Sequence, residues 1–228
     1  MAQSASDAAA NGARPGEPPD DGPVFTAPWF GAVRPMWDQL IPHIKPSRIL
    51  EIGSYEGASA CYLIETLAAE RAIEIHCVDN WQGGVEHGAD QQFAADMAHV
   101  EARFRRNVAL AMAKAPHAVA LAVHKGPSDV CLARLLADDR RGHFDFVYVD
   151  GSHQAPDVLC DAVLGFRLLR VGGVMAFDDY LWAEKLPRGR DPLRCPKPAI
   201  DAFVNLHLRK LDILRAPLWQ LYVRKLAD

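Results

Sequence analysis

Acidic side chains follow two short apolar segments of this chain, and a histidine lies beside one of them. Asp150 follows the run Phe144–Val149, and His153 comes three residues later. Asp178 and Asp179 follow the next apolar run. Because the carboxyl ends of parallel strands surround the ligand crevice of an open α/β sheet, we expect these side chains to meet there.

Three carboxylates in one crevice predict a bound divalent cation. They would repel one another unless they were protonated or bridged by a cation. Hard oxygen ligands favour Mg²⁺, with Mn²⁺ or Ca²⁺ as alternatives. We therefore interpret Asp150, Asp178 and Asp179 as metal ligands. The simpler alternative is that each is a turn or helix-cap residue, since Asp-Gly-Ser is ordinary turn chemistry.

His153 and Asp150 are the candidate catalytic residues. A metal lowers the pKa of a bound hydroxyl group, and an imidazole with a pKa of about 6.5 can take its proton at neutral pH. A lone histidine usually has no such role, but its coincidence with acids at adjacent strand ends favours a catalytic base. The other histidines show no metal-ligand spacing, so a zinc site is not expected: His43, His76, His99, His117, His124, His143 and His207.

A glycine-containing turn joins the first predicted strand to a helix. Ile49–Ile52 is an apolar run between Pro46 and Gly53, too short for a helix and typical of a buried parallel strand. Residues 58–70 are good helix formers. A strand, a glycine turn and a helix form the ligand-binding corner of a doubly wound domain, where the helix N-terminus offers free N–H groups to an anion.

The residues of this turn are unsuitable for a dinucleotide. The dinucleotide motif has a glycine where this chain has Tyr55, and Glu56 adds a negative charge. Both suit a ligand with a carboxylate at one end and a cationic centre elsewhere, such as S-adenosylmethionine. Its carboxylate could bind the free N–H groups and the Ser59 hydroxyl, and its sulfonium would tolerate nearby acids.

The turn also resembles a known motif. It is similar to the first motif of the catechol and caffeoyl-CoA type O-methyltransferases, and the resemblance extends to the end of the chain. It implies that S-adenosylmethionine is the cofactor and that the motif residues form its site: Glu51, Gly53, Tyr55, Gly57 and Ser59.

The same resemblance implies roles for the acidic side chains. The family holds a divalent ion with an Asp after the fourth strand and an Asp-Asn pair after the fifth, which Asp150 and Asp178 match. Asp179 stands where Asn is expected, and His153 replaces the lysine base of the family. The Asp-Gly-Ser-His and Asp-Asp-Tyr sequences also resemble a broad bacterial group of class I methyltransferases that act on small molecules and sugars.

Two further residues are candidates for cofactor binding. Asp79 ends the second predicted strand, where an acid can hold the hydroxyls of a ribose. Ser128 opens a helix and is interpreted either as its cap or as a contact to the cofactor base, because the resembling enzymes have Gly-x-Ser beside the adenine. In the following loop, Trp81 could flank the adenine, and Glu86 and His87 could contact substrate or metal; alternatively the loop is only a connection.

The order of the predicted elements defines the fold class. Helices are predicted over about 25–44, 90–114, 156–169 and 199–208, in addition to 58–70. Five strands alternate with helices, and two short runs at 211–215 and 218–223 predict a hairpin. The sequence therefore predicts an α/β, Rossmann-like doubly wound sheet of seven strands, mostly parallel with a C-terminal antiparallel hairpin, and helices on both faces. We expect residues 1–24 to be a disordered leader and 25–228 to form a single methyltransferase domain.

Composition excludes several classes of partner. The chain has 228 residues, half of them hydrophobic, and a net charge of −4, which indicates neither nucleic-acid nor membrane binding. Its five cysteines form no C-x-x-C pair, and no signal peptide is visible. We expect a cytoplasmic protein with reduced thiols and a small-molecule substrate, and a homodimer is possible.

The leading hypothesis is an S-adenosylmethionine-dependent O-methyltransferase assisted by a divalent metal. Its acceptor would be a hydroxyl on a small molecule or sugar unit. An oxidoreductase is disfavoured by Tyr55 and Glu56. A hydroxylase-like enzyme on the same fold, with Asp-x-x-His after the fourth strand, and a non-catalytic cofactor-binding module remain as alternatives.

Overall fold

A computed structural model describes residues 22–84, 95–184, 186–187 and 189–228. Six α-helices and seven β-strands are found in this part of the chain. The helices are α1 Phe30–Ile44, α2 Ala58–Leu67, α3 Met97–Lys114, α4 Ser128–Ala137, α5 Ala155–Leu168 and α6 Pro196–His207. The strands are β1 Arg48–Ile52, β2 Ile73–Asp79, β3 Val119–Lys125, β4 Phe144–Val149, β5 Leu169–Phe177, β6 Leu211–Leu214 and β7 Leu221–Lys225.

The strands form one seven-stranded sheet in the order β3-β2-β1-β4-β5-β7-β6. The first five strands are parallel, and β7 is inserted antiparallel between β5 and β6. The strand order reverses between β1 and β4, and ligands bind at such a switch point in doubly wound sheets. The predicted fold class is confirmed.

Helices cover both faces of the sheet, which explains the apolar runs of its central strands. All six residues of β4 are buried, as expected for a parallel strand packed on two sides. On one face α4, α5 and α6 contribute side chains such as Leu132, Phe166 and Phe203 to the core. On the other face α1, α2 and α3 contribute side chains such as Trp37 and Phe104.

Several helix boundaries differ from the sequence prediction. Helix α1 begins at Phe30 rather than near residue 25, because Pro28 disfavours helical backbone before it. Helix α3 begins at Met97, where the Asp96 side chain accepts a hydrogen bond of 3.0 Å from the N–H of Ala98. The predicted start of that helix lies outside the described residues.

The end of the predicted leader contacts α3 in the structure. Residues 1–21 lie outside the described part, but the backbone of Val24 is hydrogen-bonded on both sides to the Asn107 side chain, at 2.8 Å each. Val24, in the predicted leader, is therefore held against α3. All five cysteines are free thiols, and no helix of the described part is long and apolar enough to cross a membrane.

Three histidines meet around Glu74 although nothing in their spacing indicated it. His76 Nε2 lies 2.9 Å from one carboxylate oxygen of Glu74, and His143 Nε2 lies 3.0 Å from the other. His124 Nε2 lies 3.0 Å from His76 Nδ1. A hydrogen bond between two ring nitrogens requires one of them to be unprotonated, so the cluster depends on neutral imidazole.

Burial favours the neutral rings of this cluster. It lowers the pKa of His76 below its ordinary value, although the hydrogen bond to Glu74 opposes this. Burial likewise lowers the pKa of His124, against the opposing charge of Asp138. As pH falls through the ordinary value of about 6.5, the unfolded chain therefore binds more protons than the folded protein.

We expect the free energy of unfolding of His124→Gln, relative to that of the parent protein, to increase between pH 7.5 and pH 5.5, because the buried carboxyl groups with raised pKa values contribute equally to both proteins. Glutamine can still hydrogen-bond to His76 but does not titrate. Urea denaturation at the two pH values measures the difference. His43→Gln, at an exposed position of α1, should retain the parental pH dependence; the same dependence in His124→Gln would contradict the explanation.

Candidate active site

A cavity of about 920 Å³ opens at the carboxyl ends of the central strands. Its walls come from the turn after β1, the ends of β2, β4 and β5, the start of α4 and the segment before α1. Ligand sites commonly measure about 300–1,000 Å³. The cavity is therefore large enough for a cofactor together with a second small molecule.

The turn after β1 is pressed against the end of β4. Gly53 has φ +87°, and a Cβ atom there would lie 2.0 Å from the carbonyl oxygen of Asp150. The N–H of Asp150 donates to the carbonyl of Ile52 at 2.8 Å. Only glycine allows this approach, which brings the two predicted halves of the site together.

The carboxylate of Asp79 braces the same turn. Its Oδ2 accepts hydrogen bonds from the N–H groups of Ser54 at 2.8 Å and Tyr55 at 2.9 Å, and its Oδ1 accepts from the N–H of Trp81 at 2.7 Å. A carboxylate has about four acceptor positions. Asp79 lines the cavity and has room for about one further donor, such as a ribose hydroxyl.

Two residues of the glycine motif lie behind the turn rather than in the cavity. Glu51 is fully buried and accepts hydrogen bonds of 2.5 Å from the hydroxyls of Ser54 and Ser59. Burial raises the pKa of Glu51, and these hydroxyls oppose the rise. Gly57 has φ +81° and faces the Phe104 ring of α3. Both shape the turn from behind.

The other predicted cofactor residues reach the cavity surface. Gly53, Tyr55, Ser59, Asp79 and Ser128 all line it. The Ser59 hydroxyl is already donated to the buried carboxylate described above, so the N–H groups in the first turn of α2 are the remaining donors for an anion. Tyr55 has φ +46°.

Two interpretations of nearby residues were wrong. Ser128 is the first residue of α4 and makes no capping hydrogen bond, because Pro127 occupies the cap position. Trp81 is buried with its ring 4.9 Å from that of Phe104, and its Nε1 donates to the carbonyl of Tyr55 at 3.0 Å. Trp81 therefore supports the turn from the core and does not flank the cavity.

The acids after β4 and β5 lie close enough to interact, and His153 pairs with one of them. His153 Nε2 lies 2.8 Å from Asp179 Oδ2, and its ring stacks on Trp182 with centroids 4.2 Å apart. Asp179 has φ +54°, and its N–H donates to Asp178 Oδ1 at 2.8 Å. Asp179 and His153 thus form an oriented pair at the cavity surface.

Burial makes negative charge costly at these strand ends. It raises the pKa of Asp150 well above the ordinary value, and the neighbouring Asp178 and Asp179 raise it further while His153 opposes the rise. Burial, followed by the charge of Asp179, raises the pKa of Asp178 to about 6. The crevice therefore favours protons or positive charge.

Two of the three predicted metal ligands are hydrogen-bonded to protein groups in this structure. Among the described residues, no group of three or more His, Cys, Asp or Glu side chains is placed to hold a metal. Asp178 accepts hydrogen bonds from the Tyr148 hydroxyl and the Asp179 N–H, and Asp179 is directed to His153. Glu86 and His87, the other candidate ligands, lie outside the described residues.

A buried polar network behind Asp178 was missed by the sequence analysis. The Tyr148 hydroxyl donates to Asp178, and Gln220 Nε2 lies 3.5 Å from that hydroxyl. Trp37 Nε1 donates to Gln220 Oε1 at 3.2 Å. The one available signal was that Tyr148 precedes Asp150 by two residues and so projects to the same side of the strand.

Comparison with known proteins identifies the class. The methyltransferase-domain family matches residues 50–180, which include the glycine turn and every acid described above. The chain therefore belongs to this family, and with its sheet topology it is a class I, S-adenosylmethionine-dependent methyltransferase. A search of curated proteins finds no significant match.

Solved structures share the fold at low sequence identity. The O-methyltransferase from Bacillus cereus in complex with SAH is 16% identical with a TM-score of 0.55, and the match covers 88% of this chain and 83% of that one. CalS11, the calicheamicin methyltransferase, is 16% identical with a TM-score of 0.59, covering 86% and 79%. The O-methyltransferase NovP is 16% identical with a TM-score of 0.55, covering 88% and 80%.

Proposed function

We propose that this methyltransferase acts on a hydroxyl of a small molecule or sugar unit, with His153 as the general base. The observation that carries the proposal is the 2.8 Å contact between His153 and Asp179 at the wall of the cavity. A base held by a carboxylate is the arrangement that activates hydroxyl nucleophiles in other enzymes. O-methyltransferases among the structural neighbours support the same acceptor atom.

Separate sets of residues would bind the cofactor and deprotonate the acceptor. S-adenosylmethionine, when bound, supplies an electrophilic methyl group. The first turn of α2 would bind its carboxylate, Asp79 a ribose hydroxyl and Ser128 the base. Because Nε2 faces Asp179, Nδ1 of His153 would take the proton of the acceptor hydroxyl as the oxygen bonds to the methyl carbon. The bond from that carbon to sulfur would break, leaving S-adenosylhomocysteine, and Asp179 would stabilise the resulting imidazolium.

The stacked Trp182 supports this role for His153. The indole fixes the plane of the imidazole at a centroid distance of 4.2 Å, while Asp179 fixes the direction of Nε2. Proton transfer requires a base within hydrogen-bond reach of the proton, so a ring fixed by two contacts reduces the cost of orientation.

Metal assistance is the second candidate. The raised pKa values of Asp150 and Asp178 favour it, because a cation would stabilise both carboxylates. The hydrogen bonds that now occupy Asp178 and Asp179 would have to be exchanged for metal contacts, so no step above depends on a metal. The cytoplasmic location and the homodimer stay predictions.

The test is methyl transfer from labelled S-adenosylmethionine to a panel of diols, catechols and sugars, with matched amines and thiols. We expect label in hydroxyl compounds, and turnover unchanged after EDTA treatment and desalting. Transfer only to amines or thiols would contradict the hydroxyl acceptor. Loss of turnover on chelation, restored by Mg²⁺, would instead establish the metal-assisted form.

A further inference from the structure

The segment before α1, residues 22–29, lies against the cofactor turn and forms part of the cavity wall. We call these residues the strap. Phe25, Ala27 and Trp29 of the strap line the cavity, and the Trp29 ring lies 4.9 Å from that of Tyr55 in the turn. A ligand bound on the turn would therefore contact the strap as well.

Glu56 fastens the strap to the turn. One of its carboxylate oxygens accepts from the N–H of Thr26 at 2.5 Å, and the other accepts from the Thr26 hydroxyl at 2.7 Å. Arg103 of α3 donates to the same carboxylate at 2.5 Å. Glu56 is only 2% exposed, and its negative charge is paired with Thr26 and Arg103. The sequence had instead suggested that this charge faces a bound sulfonium.

Helix α3 holds the strap at a second point. The Asn107 side chain pairs with both backbone groups of Val24 at 2.8 Å, and its amide also donates to the carbonyl of Glu56 at 3.0 Å. Arg106 donates to the carbonyl of Gly22 at 2.9 Å. Strap, turn and α3 are thus joined by one set of polar contacts.

The large apolar side chains of the strap are only partly buried, so polar contacts carry much of its attachment. Val24, Phe25 and Trp29 are among the exposed large hydrophobic residues. Segments with few buried apolar contacts open locally at low free-energy cost. We therefore expect the strap to open more readily than the sheet and its helices unfold.

We propose that the strap is the gate of the cofactor cavity, and that Glu56 is the positioning residue that keeps it closed. The proposal rests on the proposed cofactor site. Closure places Trp29 and Phe25 against the occupant of the turn, and opening at Thr26 releases it. Because Glu56 lies in the turn itself, the state of the strap is coupled directly to the cofactor-binding backbone.

The test compares Glu56→Gln with the parent protein in two measurements. Glutamine retains the shape and one acceptor but loses the charge-assisted bonds to Thr26 and Arg103, which are worth more than neutral ones. We expect the Thr26 amide to exchange hydrogen faster without ligand, and S-adenosylhomocysteine to dissociate about tenfold faster or more in stopped-flow fluorescence. Glu70→Gln, which weakens an exposed pair with Lys45, is the matched control and should match the parent in both.

Thr26→Val is the second variant. It removes the hydroxyl donor from the strap and leaves the turn intact, so a smaller change in the same direction is expected in both measurements. Unchanged hydrogen exchange at Thr26 in Glu56→Gln would show that Glu56 does not keep the strap closed. Faster hydrogen exchange together with the parental dissociation rate of S-adenosylhomocysteine would show that the strap does not control release of the ligand. If the parent protein binds no S-adenosylhomocysteine, the proposed cofactor site is refuted. The exchange measurement then still tests whether Glu56 holds the strap.

Discussion

Replacement of His153 by alanine is expected to lower kcat by about 10²–10⁴-fold, the range that a positioned general base contributes. The affinity for S-adenosylhomocysteine should remain close to the parental value, because the His153 ring contacts Asp179 and Trp182, neither of which is assigned to the cofactor. Asp179→Asn should also lower kcat, since an amide holds the ring but cannot stabilise the imidazolium. Labelled-methyl turnover and titration calorimetry measure the two quantities.

The chain offers a matched control for the His153–Asp179 pair. His99 Nδ1 lies 2.9 Å from Asp96 Oδ2, with the His99 side chain 73% exposed. His99→Ala removes a histidine from a similar pair outside the cavity and should leave both kcat and affinity unchanged. Parental turnover in His153→Ala would exclude His153 as the general base. Equal losses of turnover and cofactor affinity would indicate that the imidazole ring is needed for the site to form.

The fold could be predicted from sequence because its signals are local. Parallel strands buried on both faces are continuous apolar runs, and β4 was predicted with the bounds that the structure shows. The acids at the strand ends could be placed for the same reason, since strand ends in a parallel sheet share one edge. Locating Asp150 and Asp178 required only the strand order.

The partners of the site residues could not be predicted because they are distant in sequence. Glu56 meets Thr26 and Arg103 only after α3 has packed on the turn, and a carboxylate beside a glycine turn was therefore taken to face the ligand. The backbone of Asp179, with φ +54°, directs that side chain to His153. Motif spacing identifies such residues without giving their orientation.

Gly53→Ala is expected to be the most damaging single substitution in the cofactor turn. An added Cβ would lie 2.0 Å from the carbonyl oxygen of Asp150, 2.4 Å from its carbonyl carbon and 2.7 Å from Cα of Gly151. All three are backbone atoms, so no side-chain rotation can relieve the overlap. The turn and the end of β4 would have to separate, and these two segments carry the cofactor cradle and the candidate base.

Gly142→Ala separates this steric effect from simple backbone strain. Gly142 also has a positive φ, +62°, but its nearest contact would be an ordinary 3.9 Å from Cα of Arg170. We expect Gly142→Ala to cost about 1–2 kcal/mol of unfolding free energy, and Gly53→Ala to cost more than about 4 kcal/mol or to prevent folding. Urea denaturation gives both values. Equal costs would mean that β4 can move away from the turn, and the close approach of Gly53 to Asp150 would then not be what holds the two halves of the site together.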